Sequence, residues 1–324
     1  DDYYLSLVGE LFQRLREPYE DLVDWSRLGN ALTQAGLGGF NGDAVAAPGI
    51  LASETALFAA AAFYFGGYSA SAYITLKAAV PTDLSENGRA CYELLARPST
   101  IQSSSVRAII GAVRRGNLQF IRERVAELVE KETEALSIGP NEWVGVRLLR
   151  QMVERFATTN IRAVLPDGEN HFWDPLVRSL LERTPPAWDF FPSQISAIEN
   201  RLLERPDTFS LQMPTGAGKT ALAETLLFYH LARNPDDVAV LLVPYRSLAS
   251  ELRASLVKRM NRMGFSTRCA YGGTVPTGDE VRDLDETRAI VATPEALSGL
   301  LSADPDFFRR VTLVVCDEGH LLDG

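Results

Sequence analysis

Thr208-Phe-Ser-Leu-Gln-Met-Pro-Thr-Gly-Ala-Gly-Lys-Thr220 is the stretch that decides how this chain folds. Phe209, Ser210 and Leu211 predict the end of a buried strand, and Thr220-Ala-Leu-Ala-Glu-Thr-Leu-Leu227 predicts the start of a helix. Between them Thr215, Gly216, Ala217, Gly218, Lys219 and Thr220 read as a phosphate-binding loop. Glycines let backbone N–H groups curl around phosphate oxygens, and the helix N-terminus adds the positive end of its dipole. Lys219 can reach the β- and γ-phosphates of a nucleotide, and the Thr220 hydroxyl can ligate Mg²⁺. Met213 stands where such loops usually carry their first glycine. A Gly-Lys-Ser/Thr tripeptide arises by chance in roughly one chain in ten of this length. The flanking strand and helix signals, and the motifs downstream, are what give it weight.

The 324 residues are 46% hydrophobic and 23% charged, a globular composition long enough for about two domains. The net charge is −10, so no global basic field attracts nucleic acid and any such contact must come from a local patch. Cys91, Cys269 and Cys316, with His171, His230 and His320, show neither metal-ligand spacing nor a disulfide framework. That usage points to a reducing cytoplasm.

Residues 1–185 predict an all-helical accessory domain. Leu5, Val8, Leu11, Phe12 and Leu15 share one helical face, and Leu22, Trp25, Leu28 and Leu32 share another. Leu118, Ile121, Val125, Leu128 and Val129 repeat the pattern, as do Leu149, Met152, Val153 and Phe156. Asp174-Pro175 reads as an N-cap followed by Pro at the first helical position. Thr55–Leu76 carries no charge and is long enough to span a bilayer, but Gly66-Gly67 splits it and three tyrosines interrupt it. Two tightly packed helices joined at the glycines explain it better, so no membrane contact is expected.

From residue 186 the texture alternates between strands and helices, as in a doubly wound α/β parallel sheet. Val238–Pro244, the segment ending Cys269-Ala-Tyr-Gly-Gly273, Ala289–Pro294 and Val311–Asp317 are the strand candidates. In such sheets ligands sit beyond the carboxyl ends of the strands. The last strand delivers Asp317-Glu318-Gly319-His320 there: Asp317 can hold the Mg²⁺ between the phosphates and Glu318 can deprotonate the attacking water.

The order Gln194, Gly216–Thr220, Pro244-Tyr-Arg-Ser-Leu248, Gly272-Gly273, Thr293-Pro-Glu295, Asp317-Glu-Gly-His320 resembles superfamily 2 helicases of the DExH-box type, over about residues 190–324. Asp317–Asp323 and Ala292–Glu295 lean towards the Ski2-like branch, and the layout is similar to bacterial phage-defence helicases. The resemblance implies a RecA-like P-loop NTPase fold with helices on both faces of the sheet, and an ATP hydrolase driving a helicase or translocase with Mg²⁺. It implies that Phe191 and Gln194 recognise adenine, although Phe190 and Phe191 can equally be core. Pro244, Arg246, Ser247, Gly272, Gly273, Thr293 and Pro294 match positions that hold the backbone of a single-stranded or duplex nucleic acid, DNA slightly favoured over RNA. His320 would couple the two sites. The resemblance further implies a second RecA-like domain, with arginine fingers, beyond Gly324, and a protein partner such as a nuclease on the helical domain. Two alternatives to the helicase are a double-strand DNA translocase serving a nuclease in restriction or phage defence, and a nucleotide-gated scaffold that unwinds nothing.

Overall fold

The computed structural model describes residues 2–16, 22–36, 53–78, 84–205, 207–213, 218–244, 253–270 and 284–317. The chain forms two compact units, residues 1–195 and 196–324.

The first unit is helical. Helices α1 (Asp2–Arg16), α2 (Leu22–Gly36), α3 (Ser53–Phe65), α4 (Ser69–Lys77), α5 (Glu86–Ala96), α6 (Ser104–Arg115), α7 (Leu118–Ile138), α8 (Pro140–Thr159), the single turn α9 (Ile161–Val164), α10 (Asp174–Leu181) and α11 (Pro192–Glu199) follow in order. The uncharged stretch forms the expected helix pair. Ala56–Tyr64 of α3 is buried without a break, which marks a helix enclosed on all sides. Gly67 turns the chain at φ +82°, and a Cβ there would meet the Pro192 ring at 2.8 Å, so only glycine fits. No helix among the described residues is long and apolar enough to cross a membrane.

Packing corrects three local expectations. In α1 the buried ridge is Leu7, Leu11 and Leu15, an i, i+4, i+8 series, and Leu5 is 66% exposed on the far side. In α7 Ile121 and Leu128 face inward while Val129, one position further round, faces water. Asp174 does not cap α10. Its carboxylate accepts hydrogen bonds from Arg162 and His171 instead, which outweigh the upward push of partial burial and hold it below the usual carboxylate range.

Arg162 is the polar anchor of this unit. Its side chain is fully buried, and its guanidinium donates to the carbonyls of Val113, Gly168, Asn170 and Arg114 and to Asp174. A buried charge is tolerable only when its donors are met in this way.

The second unit is built on four parallel strands, β1 (Val238–Leu242), β2 (Thr267–Ala270), β3 (Ala289–Ala292) and β4 (Val311–Cys316), in the order β2-β3-β1-β4. The apolar runs of β1 and β3 are buried on both faces, whereas β4 alternates between half-buried and exposed positions. Val238, Val240, Ile290 and Ala292 pack with Leu284, Leu300 and Phe307 into the core of the sheet. Helix α12 (Lys219–Arg233) precedes β1, α13 (Lys258–Arg262) leads to β2, and α14 (Pro294–Ala303) connects β3 to β4. Thus the α/β fold with a preceding helical region stands.

The predicted strand at Phe209–Leu211 does not form. Residues 207–213 belong to no ladder among the described residues, and Leu211 is 43% exposed. Strand propensity takes effect only through pairing with a neighbour. Among the described residues β4, which ends the four-strand order, pairs with β1 alone.

Candidate nucleotide and nucleic-acid site

Helix α12 begins at Lys219, directly after Gly218 at φ +78°, a left-handed position that favours glycine. A helix N-terminus of this kind is suited to an anion. Lys219 is half-buried in its first turn and Thr220 is exposed. Further along, Leu222, Leu227, Phe228 and Leu231 are buried, and the helix packs on β1 and β4.

The far end of α12 fixes its direction. His230 Nε2 lies 2.8 Å from Thr312 Oγ1 at the start of β4, and Thr312 donates to Asp237 Oδ2 at 2.6 Å just ahead of β1. The C-terminal end of the helix is therefore tied to the amino ends of both strands. From His230 back to Lys219 the helix runs about 17 Å at ~1.5 Å per residue. From Thr312 to Asp317 the strand runs about 17 Å at ~3.3 Å per residue. The two spans are similar, and α12 begins at Lys219 at the end of the helix away from that tie.

Asp317 extends the β4 ladder by one step, its N–H donating to Leu242 O at 2.9 Å. Pro244 follows β1 after the Val243 N–H bonds Ala292 O at 2.9 Å, and Thr293 follows β3 with its N–H on Ala270 O at 3.3 Å. Asp317, Pro244 and Thr293 thus share one sheet edge, on adjacent strands spaced by about 4.8 Å. The buried Thr293 hydroxyl accepts the Ala296 N–H at 3.4 Å and caps α14, whose first residue is Pro294.

In the first unit, Phe190 is core. Phe191 is half-buried and precedes α11. Gln194, 2% exposed, accepts the Phe191 N–H on Oε1 at 2.8 Å, the reach of a third-position glutamine back to the start of its helix. Thr215, Gly216, Ala217, Arg246, Ser247, Gly272, Gly273, Glu318 and His320 lie outside the described residues.

Two features escaped the sequence. His230 was weighed only as a metal ligand, yet it ties α12 to β4. Glu224, in the helix rooted at Lys219, is fully buried and paired with Arg259 of α13 at 3.0 Å. A carboxylate on the inner face of a helix that otherwise buries leucines was the available signal.

Residues 191–324, less than half of the chain, match the DEAD/DEAH box helicase family. Among individual relatives, the chain is 28% identical to the Hachiman protein HamB of Bacillus cereus over 227 residues, 68% of this chain and 20% of that protein. It is 32% identical to the ATP-dependent DNA helicase Hel308 of Methanocaldococcus jannaschii over 41% of this chain and 11% of the relative. The DExH-box ATP-dependent RNA helicase DExH13 of Arabidopsis thaliana is 31% identical over 40% of this chain and 6% of its own length. The chain therefore spans a fifth or less of these relatives. The HamB similarity is also longer than residues 191–324 can supply, so it runs into the helical unit.

Proposed function

We propose that the protein is an ATP-dependent helicase or translocase of superfamily 2, coupling Mg-ATP hydrolysis to movement along nucleic acid, DNA favoured. The observation that supports this reading is that α12 starts at Lys219 behind the left-handed Gly218 and is tied at its far end to the start of β4, the strand that Asp317 extends. In this reading Lys219 neutralises the β- and γ-phosphates, Thr220 and Asp317 hold Mg²⁺, and Glu318 takes the proton of the attacking water. The backbone of the strand lies over Pro244, Arg246, Ser247, Gly272, Gly273, Thr293 and Pro294, and His320 links the two sites. Residues 1–185 form the accessory domain and residues 186–324 the first of two RecA-like domains, in the cytoplasm.

The extension of the HamB similarity into the helical unit supports a second, narrower reading. It is a double-strand DNA translocase of a phage-defence complex, with a nuclease partner held by the helical domain. Strand-displacement assays separate the two, since a translocase moves without releasing a strand.

Nucleotide titration and single-turnover hydrolysis of the full-length protein test the shared core. Lys219→Ala is expected to weaken ATP binding, and Glu318→Gln to bind ATP normally while turnover falls by at least about 10²-fold. Undiminished turnover in Glu318→Gln would remove that residue from the mechanism.

A further inference from the structure

Several arginines of the helical unit meet carboxylates. Arg14 meets Glu10, Arg97 meets Asp189, Arg124 meets Glu127, Arg147 and Arg150 share Glu132, and Arg162 meets Asp174. Arg16, Arg89, Arg155 and Arg178 meet none among the described residues, and helix α6 concentrates such side chains. Its three arginines, Arg107, Arg114 and Arg115, are exposed, and none meets a carboxylate among the described residues. Arg107 donates only to the carbonyls of Ile101 and Gln102. Arg122, at the start of α7, is also exposed and donates only to Gln119.

We propose that α6 and the start of α7 form a platform that holds the phosphate backbone of the nucleic acid engaged by the helicase domain, a second grip located in the helical unit. The proposal rests on the helicase reading above and adds a surface to it.

The geometry is that of one face. At about 100° per residue, Arg107, Gly111, Arg114 and Arg115 fall within a sector of roughly 100°, opposite the buried Val106, Ile109, Ala112 and Val113. The arginines span about 10–12 Å along the axis, close to three base-pair rises of a duplex strand. Gly111, between them, carries no side chain, and the Arg115 guanidinium covers it: a Cβ there would lie 3.2 Å from Nη1. No acidic residue occurs between Glu93 and Glu123. Glu93 is itself buried, its two oxygens taken by the N–H groups of Gln102 and Ser103. Glu169, beside the α6–α7 turn, accepts the Leu118 N–H.

The overall charge of −10 does not oppose this. Screening at physiological salt acts over about 8 Å, so a phosphate at the platform feels chiefly its near neighbours, the three arginines set against Glu169 at the turn. Arginine also offers phosphate a planar, forked set of donors.

The test uses the full-length protein and a fluorescently labelled DNA duplex with a single-stranded tail, titrated over a range of salt concentrations. Each lost phosphate contact should lower the slope of log K against log salt by about 0.9. The triple variant Arg107→Gln/Arg114→Gln/Arg115→Gln is expected to lose about 2–3 of slope and at least about tenfold in affinity at ~0.1 M salt. Its helical circular dichroism and its ATP affinity should stay unchanged, because the three side chains are exposed and bear on neither core nor loop. The control variant Lys77→Gln/Lys131→Gln removes exposed cations elsewhere in the unit and should bind DNA as the unsubstituted protein does. An unchanged slope in the triple variant overturns the platform. So does an equal loss per charge in the control, which would make net charge the cause. If the unsubstituted protein does not bind the duplex at all, the helicase reading falls and the platform falls with it.

Discussion

Gln194 shows how one side chain can carry a structural and a functional duty together. Its Oε1 already accepts the Phe191 N–H, which fastens the start of α11, while adenine recognition needs an amide that both accepts from the base amino group and donates to N7. The two duties can be separated by substitution. Gln194→Glu keeps an acceptor for the Phe191 N–H but loses the donor to N7. It is expected to fold with native stability and to lose about 1–3 kcal/mol of ATP affinity, along with any preference over GTP. Gln194→Ala should lose both the preference and the helix start. Calorimetric titration with ATP and GTP, beside a thermal melt, reads the two effects. Equal ATP and GTP affinity in the unsubstituted protein would remove Gln194 from base recognition.

Among the elements, α12 matters most, because its two ends do different work. The N-terminal end presents Lys219 and Thr220, and the C-terminal end is locked by His230 to Thr312 and Asp237. Partial burial and the nearby Arg288 push the His230 imidazole below its ordinary value of 6.5, with Asp237 pulling it partly back. A lowered folded value means that folding favours the neutral ring. Its contribution to stability is therefore complete above about pH 6.5, and is lost as the pH falls through the lowered folded value. His230→Gln has no such dependence. Urea midpoints measured from about pH 7.5 down to pH 5 should fall further for the unsubstituted chain than for the variant. Parallel curves would show that the helix–strand lock is insensitive to that proton. Glu224 and Arg259 give the same helix a buried ionic link to α13, so α12 is held by its flank as well as by its end.

At the scale of the whole molecule, the proposed ATPase draws on groups from outside this sheet. The proposed arginine fingers belong to a second RecA-like domain, and in related phosphoryl-transfer sites such residues contribute roughly 10³–10⁵ in rate. Residues 1–324 alone are expected to bind nucleotide weakly and to hydrolyse it at least about 10³-fold more slowly than the full-length protein with nucleic acid present. Steady-state phosphate release from both proteins decides this, and comparable turnover would place the whole catalytic centre within these residues. The HamB similarity makes the helical unit part of the same question, because it reaches residues that the helicase family match does not.

The amino-acid sequence by itself determined the α/β class, the helical region before it, the strands at 238–242, 267–270, 289–292 and 311–316, and the family that residues 191–324 match. These were legible because they depend on near neighbours: apolar runs, glycine at fixed spacing, and a glycine break at Gly66-Gly67 in an uncharged run. Tertiary structure decided which face of each helix turned inward, so Leu5 and Val129 faced water although they shared a pattern with buried leucines. It decided that residues 207–213 were no strand, since a ladder needs a partner that no local pattern supplies. It also brought His230 to Thr312, across 82 positions of chain, and left the arginines of α6 without carboxylates among the described residues. Pairing of that kind depends on distance in space, and no spacing in the sequence encodes it.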